Sequence, residues 1–365
     1  MSGVAGKLPE LVAKRLAERK RERVKDHEER CAWLESKRID LPETSCIDTV
    51  RMSLLSPLHP RDLANLERRG FQPACVKSRI TFDSSGRVLV VHDERARYQC
   101  EQSLSSVHIM PTRVAAEFSV ARAFGNFHNL MTPPLSPAEI REALRSQTEG
   151  LLPWTTLRAK WNKHHWGITR IDLARDVEVE TEGYRAAYGA TPWRRTRRPA
   201  PKVYTAGLCW QGDENVLRIY DKRKQVGDRV GSTGSSAPLM RVERQSRGGR
   251  AMARLGELLR YGRPGYSLPF VEEHDGHSSV VRRPLDYTML HYALARDIDK
   301  LDRPMPPTKA WDEEVARRAL DDRSLVLKSK ELRDPKTHRK MLARMEAYSR
   351  SDMGVVSLLN ACYGH

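Results

Sequence analysis

Four stretches of this chain alternate apolar and polar residues with the two-residue period of a β-strand that has one face buried and the other wet. In RVAAEFSV, Val114, Ala116, Phe118 and Val120 form one side, and Arg113, Glu117 and Ser119 the other. In ITRIDLARDV, Ile171, Leu173 and Val177 oppose Arg170, Asp172 and Asp176. NVLRIYDK sets Leu217 and Ile219 against Arg218, Tyr220 and Lys222, and LMRVERQ sets Met240 and Val242 against Arg241, Glu243 and Gln245. Each strand can offer its apolar side to packing helices. If the strands are neighbours, the carboxylates of Glu117, Asp172 and Glu243 and the phenol of Tyr220 converge on one sheet surface. Such an oxygen-donor set suits Mg²⁺ or Mn²⁺, whereas Zn²⁺ more often recruits Cys or His. A sheet with one wet face and no chemistry shows the same alternation, and a lone Tyr in a strand is ordinarily just a good strand former.

Other elements surround these strands. Residues from about 8 to 38 read as a charged helix with too few apolar positions to belong to a core. CIDTVRMSL reads as a first strand, and SRITF and RVLVVH flank DSSG as a hairpin. Ser136 as N-cap with Pro137 at the first helical position starts a helix. KVYTAGLCW and NVLRIYDK pair across QGDE, and the helical GGRAMARLGELLRYG follows LMRVERQ. The Pro-rich RPMPPTK reads as linker, with helical segments beyond it. The pattern predicts an α+β fold: a central, mainly antiparallel sheet with flanking helices, a helical N-terminal extension and a helical C-terminal appendage. The expected boundaries are a charged helix over 1–40, the sheet-bearing domain over 41–265, a linker region over 266–307 and a helical region over 308–365.

Composition narrows the partner. The 365 residues carry 64 Lys and Arg against 47 Asp and Glu, a net charge of +17, which points to a polyanion. DNA, RNA and anionic lipid all satisfy that argument. No run approaches the roughly 18 apolar residues of a membrane span, and the first residues lack the apolar stretch of a signal peptide. Cys31, Cys46, Cys75, Cys100, Cys209 and Cys362 form no CxxC pair, which reads as free thiols in a reducing bacterial cytoplasm.

The order and wording of the strands resemble the replication initiators of filamentous phages and, more distantly, those of certain rolling-circle plasmids. CIDTVRMSL is similar to the family's opening strand, and EFSVARAFGNFHN to its strand and small-residue turn. ITRIDLARD resembles its most recognisable run, CWQGDENVLRIYDK the strand that bears the nucleophilic tyrosine, and LMRVERQSR the Arg-x-Glu strand after it. The resemblance spans roughly residues 46 to 260 and makes 41–265 a nicking and rejoining domain. It implies cutting of one strand at a double-stranded origin, a 5′-phosphotyrosine intermediate and resealing of the displaced single strand. A host helicase and polymerase would be partners, and a homodimer is compatible with it. Carried over by position, Tyr220 matches the nucleophile and Glu117, Asp172 and Glu243 the acids that hold the metal. Asp221 fits an acid that directly follows the tyrosine in the plasmid relatives. Regular alternation puts it on the opposite face, so it is a ligand only where the strand bends or ends. Asp48 resembles a family Asp too, but shares a face with Val50, Met52 and Leu54.

The chemistry is consistent with these residue types. A phosphodiester repels nucleophiles, and a cation on the acids would withdraw charge from its non-bridging oxygens. A tyrosine hydroxyl, with an ordinary pKa of about 10, needs activation. Arg218 and Lys222 could lower that pKa and grip the phosphate, and Arg170 and Arg241 are further DNA-contact candidates on the same face. The tract WRRTRRPAPK adds Arg194, Arg195, Arg197 and Arg198 for phosphates and Trp193 for stacking on a base. Tyr184 and Tyr188, four apart on one helical face, are a rival pair, but no His-hydrophobic-His motif accompanies them. His164 and His165 read as surface or DNA-contacting residues. The alternatives are a non-catalytic DNA-binding regulator and an RNA-binding module.

Overall fold

IDTVRMSL forms β1 (Ile47–Leu54), which lies between β7 (Val114–Ser119) and β8 (Gly167–Val177) and runs antiparallel to both. The computed structural model describes residues 7–39, 45–74, 79–90, 96–100, 105–124, 134–189, 201–227, 237–260, 267–274, 277–302 and 356–364. Across the sheet the order is β2 (Gln72–Pro73), β5 (Ala96–Cys100), β6 (Ser105–Ile109), β7, β1, β8, β12 (Met240–Arg247), β11 (Asn215–Asp221), β10 (Gly207–Gln211) and β9 (Lys202–Tyr204). Every neighbouring pair along that path is antiparallel. The hairpin β13 (Ser267–His274) and β14 (His277–Pro284) leaves the path and meets β8 in parallel where Phe270 faces Ile168. β3 (Ile80–Phe82) and β4 (Val88–Val90) form the small hairpin expected around DSSG. Asp83 closes its turn by accepting the N–H groups of Ser85 and Arg87.

The apolar sides of these strands are covered by helices. In α4 (Pro137–Leu151) the Ser136 hydroxyl accepts the Glu139 N–H while the Glu139 carboxylate accepts the Ser136 N–H, a complete capping box. Its Ile140 and Leu144 pack with Val50, Met52, Phe118, Ile171 and Leu173, as do Met252 and Leu255 of α8 (Gly249–Leu259). Farther along, α2 (Pro60–Arg68) and α5 (Pro153–Trp161) pack on Leu54, Ile109, Val114 and Ala116. At the other end, α6 (Thr181–Tyr188) packs on Leu217, Ile219, Met240 and Val242. Each fully buried aliphatic side chain contributes about 1.5–3 kcal/mol, so this face organises the sheet. The fold is α+β with a central, mainly antiparallel sheet, and among the described residues no helix is long and apolar enough to cross a membrane.

The stretch expected as a linker over 266–307 is instead part of the body. It forms the β13–β14 hairpin and α9 (Tyr287–Asp302), whose Met289, Leu290, Leu294, Ile298 and Leu301 are buried. Arg244, on the apolar side of β12, pairs with Asp297 of α9 at 2.6 Å. The signals were the sequence His-Asp-Gly-His and an apolar stripe at helical spacing, both overshadowed by the prolines that follow. The 30-residue charged helix α1 (Lys7–Ser36) is present as expected. It is anchored at its C-terminal end, where Trp33 meets Tyr292 edge-on at 5.4 Å and Lys37 reaches Asp299 at 3.4 Å. Of the C-terminal region, α10 (Leu358–Tyr363) is described, and Leu358, Cys362 and Tyr363 are buried in the core.

Candidate active site

Residues directly opposite each other in an antiparallel pair share a face. The pairings Glu117 with Arg51, Arg51 with Arg170, Asp172 with Gln245, Glu243 with Arg218, and Arg241 with Tyr220 therefore place all of these side chains on the sheet face away from the helices. The four strands read from sequence are thus gathered on one surface, with β1 inserted between two of them.

The polar groups there interlock. Tyr220 donates its hydroxyl to Glu243 Oε2 at 2.8 Å, and Arg218 donates to Oε1 of the same carboxylate at 2.7 Å. Arg170 donates to Asp172 Oδ1 at 2.9 Å and reaches Glu117 Oε1 at 3.0 Å. Arg51 holds the other oxygen of Glu117 at 2.8 Å. Gln245 donates to Asp172 at 3.3 Å. Arg51 was not singled out from sequence, although Thr49, Arg51 and Ser53 alternate in CIDTVRMSL as the site residues do in the other strands. Tyr220, Arg218 and Glu243 line an open cleft of about 340 Å³ together with Gly207, Cys209 and Arg247.

Several expected roles change with the geometry. Asp48 was expected on the apolar face. A register shift in β1 between Ile47 and Thr49 turns it instead toward the polar side, where it holds Arg241 at 2.8 Å. Arg241 was expected to touch DNA; it is fully buried, with Asp48 on one nitrogen and Asp176 on another at 2.5 Å, so its charge is consumed inside the sheet. Lys222 was expected to grip a phosphate, but β11 ends before it and it begins α7 (Lys222–Gly227). Its side chain is buried, the ammonium lies 5.7 Å from the centre of the Tyr220 ring, and it donates to Gln225 at 3.2 Å. Asp221 sits where the strand ends, and its carboxylate accepts the Lys224 N–H at 2.8 Å, which caps α7. Trp193, Arg194, Arg195, Arg197 and Arg198 lie outside the described residues. The rival tyrosines are on the helical side: Tyr184 and Tyr188 are buried, and the Tyr188 hydroxyl donates to Asp302. His164 and His165 are exposed in the turn before β8.

Burial and charge set the protonation of the face. Burial, and then repulsion from Glu243, push Asp172 up to about 7 against the pull of Arg170. Burial opposes ionisation of Glu117, but Arg170 and Arg51 outweigh it and hold this carboxyl below its ordinary value. Burial and the Glu243 charge keep the Tyr220 phenol well above its ordinary value, so it stands as a protonated donor. Burial and the Arg241 charge lower Lys222 to about 8.

For a divalent cation the fit is partial. The donors are all oxygens, as a hard cation requires, and Asp172 and Glu243 repel each other in a way that an added positive charge would relieve. The three acids are not gathered around one point, because Arg170 stands between Glu117 and Asp172. Among the described residues no group of three or more His, Cys, Asp or Glu is arranged to hold a metal ion. A pair of carboxylates completed by substrate phosphate oxygens is the mode Mg²⁺ commonly adopts, and Asp172 with Glu243 fits that description.

No protein-family model and no curated protein matches the chain. Among solved structures it is similar to the Methanococcus jannaschii TBP, at 10% identity and a TM-score of 0.26, over 58% of this chain and 93% of that one. A likeness that loose says nothing about what this site does.

Proposed function

We propose that this chain is a tyrosine-dependent DNA strand-transfer enzyme, the initiator of rolling-circle replication that its strand motifs resemble. The observation that carries the reading is the Tyr220 hydroxyl bonded at 2.8 Å to Glu243, beside Arg218 and on an open cleft. A nucleophile bonded to a base that is itself held by a third group is the common arrangement of covalent catalysis. As the Tyr220 oxygen bonds to phosphorus, its proton passes to Glu243 Oε2. The bond from phosphorus to the 3′ oxygen breaks, and that oxygen leaves as a hydroxyl by taking a proton from solvent water, while Glu243 returns the proton it accepted to solvent. The 5′ phosphate stays on Tyr220, and attack by a 3′ hydroxyl reverses the step without ATP. Arg218, about a third exposed at 35%, is placed to meet a phosphate in the cleft. Mg²⁺ or Mn²⁺, held by Asp172 and Glu243, would withdraw charge from the non-bridging oxygens.

The test is covalent capture. Wild-type protein is incubated with Mn²⁺ and a randomised single-stranded DNA library, and adducts that survive denaturing gels are counted and sequenced. Tyr220→Phe is expected to abolish the adduct, a loss of at least about a thousandfold given what a covalent nucleophile contributes. Tyr188→Phe is expected to keep it. Binding of the library with no adduct from the wild type would leave a non-catalytic DNA-binding regulator, and an adduct lost only in Tyr188→Phe would move the nucleophile to α6.

A further inference from the structure

On the helical side of the sheet, away from Tyr220, α5 presents an unusual surface. Trp154, Leu157 and Trp161 recur at i, i+3 and i+7, so they share one helical face, and all are exposed: 41%, 49% and 82%. The other face of the same helix is conventional, with Thr155, Thr156 and Ala159 buried. Trp161 is therefore not a core residue that the fold failed to cover. It stands at the end of a helix that already has its core contacts.

Cations border the tryptophans, and the acid beside them on α4, Glu149, is already paired with Lys160 of α5 at 2.8 Å and with Arg145 at 3.0 Å. The Arg61 guanidinium lies 4.8 Å from the centre of the Trp154 ring. Beyond Trp161 the chain runs Asn162, Lys163, His164 and His165, all exposed. Lys163 has a left-handed backbone, φ 59°, at the helix end. The His164 N–H bonds to Ala159 O at 2.8 Å and the Lys163 N–H to Lys160 O at 3.1 Å, the helix-ending motif whose left-handed position glycine fills most readily. A lysine here accepts backbone strain that glycine would avoid, and it puts an exposed cationic residue two positions after Trp161.

We propose that this face of α5 is a second nucleic-acid site, which takes single-stranded DNA by stacking bases on Trp161 and Trp154 while Arg61, Lys163 and the two histidines meet its phosphates. The charge decides the occupant. Flat aromatic faces between cations match unpaired bases on a polyanionic backbone, whereas a protein partner for an apolar helix face would need its own acids placed against each cation. The spacing suits a strand: seven helical residues separate the rings by roughly 10 Å along the axis, about three nucleotides at stacked spacing. Duplex DNA keeps its base faces hidden, so the site discriminates against it. The site stands apart from the Tyr220 chemistry and does not require it.

The experiment uses the full chain with labelled dT12 and with a 12-base-pair duplex, read by anisotropy and by quenching of tryptophan fluorescence. Trp161→Ala and Trp154→Ala are each expected to weaken dT12 binding at least about fivefold, since stacking on one aromatic is worth that much or more. Trp161→Phe should restore most of the affinity, because a ring and not the indole N–H is what the base needs. Duplex affinity should stay unchanged in all three variants, and Tyr220→Phe should bind dT12 as wild type does. Wild-type dT12 affinity in the two alanine variants would overturn the proposal. So would equal losses for dT12 and duplex. Crosslinking of α5 to a protein partner that depends on Trp161, with dT12 binding intact, would assign the face to that partner instead.

Discussion

Lys222 shows how a single buried cation can be read as an energetic statement about the site. Its ammonium titrates near 8 because burial and Arg241 disfavour the charge, while in an unfolded chain it titrates near 10.5. Between those values the unfolded state holds a proton that the folded state lacks, so raising pH from about 8 to about 10.5 favours folding. Below pH 8 the folded protein carries the whole penalty. Lys222→Met is therefore expected to stabilise the protein at pH 7 by about 1–2 kcal/mol, net of the lost bond to Gln225, with the gain shrinking as pH rises. Urea unfolding at pH 7 and pH 10 reads this directly, and a gain that does not change with pH would refute it. A destabilising charge kept beside the Tyr220 ring is the kind of local cost that collects at functional sites. Asp48 marks the limit of reading at this scale. Alternation assigned it to the apolar face, and a one-residue register shift, which has no signature in IDTVRMSL, reversed that assignment.

Strands and their pairings were the most legible level, because period-two alternation survives whatever the neighbours are. Glu117, Asp172, Arg218, Tyr220 and Glu243 could be placed on one face from sequence, and the sheet order brings their strands together around β1. Ion pairing across strands was not legible: nothing in the sequence says that Arg170 will bridge Glu117 and Asp172 where a common metal centre was expected. Nor was the exchange of partners on the apolar side, where Arg244 finds Asp297 more than fifty positions along the chain, at 2.6 Å. The β10–β11 pair carries the prediction at this scale. Gly207 faces Tyr220, and a Cβ there would meet the Ile219 carbonyl oxygen at 2.1 Å and the Tyr220 Cβ at 2.7 Å. Both are atoms of the strand itself, so the strands must part. Gly207→Ala is expected to destabilise the protein by about 1–3 kcal/mol and to reduce covalent adduct formation more than tenfold, with Tyr220 drawn away from Glu243. Wild-type melting together with wild-type adduct yield would show that the close approach has no role.

At the scale of the whole molecule, the segments after the strands of the candidate site are part of the fold's support. Sequence reading set them apart, yet α9 and α10 complete the same core that holds β11 and β12 from behind. Tyr188 on α6, Asp302 at the end of α9 and the first N–H groups of α10 form one connection: Asp302 accepts from Leu358 at 3.1 Å and from Leu359 at 2.6 Å, and the Tyr188 hydroxyl donates to Asp302 and accepts the Leu358 N–H at 3.1 Å. Arg175 of β8 donates to the Cys362 carbonyl at 2.8 Å and lies 5.5 Å from the centre of the Tyr363 ring. Removing α10 would uncover the apolar groups beneath it and leave Asp302 and Arg175 without these partners. Leu358, Leu359, Cys362 and Tyr363 are all buried, and at about 1.5–3 kcal/mol for each large side chain their loss approaches the 5–15 kcal/mol that holds a typical domain together. A chain ending at Val355 is therefore expected to lose its cooperative thermal transition, or to melt at least about 10 °C lower, and to lose adduct formation with it. The site on β11 and β12 rests on that core, so stability and activity should fall together. A truncated chain that melts like the full one would mean that α10 only rests on the surface, and the sheet would then need no support from the C-terminus.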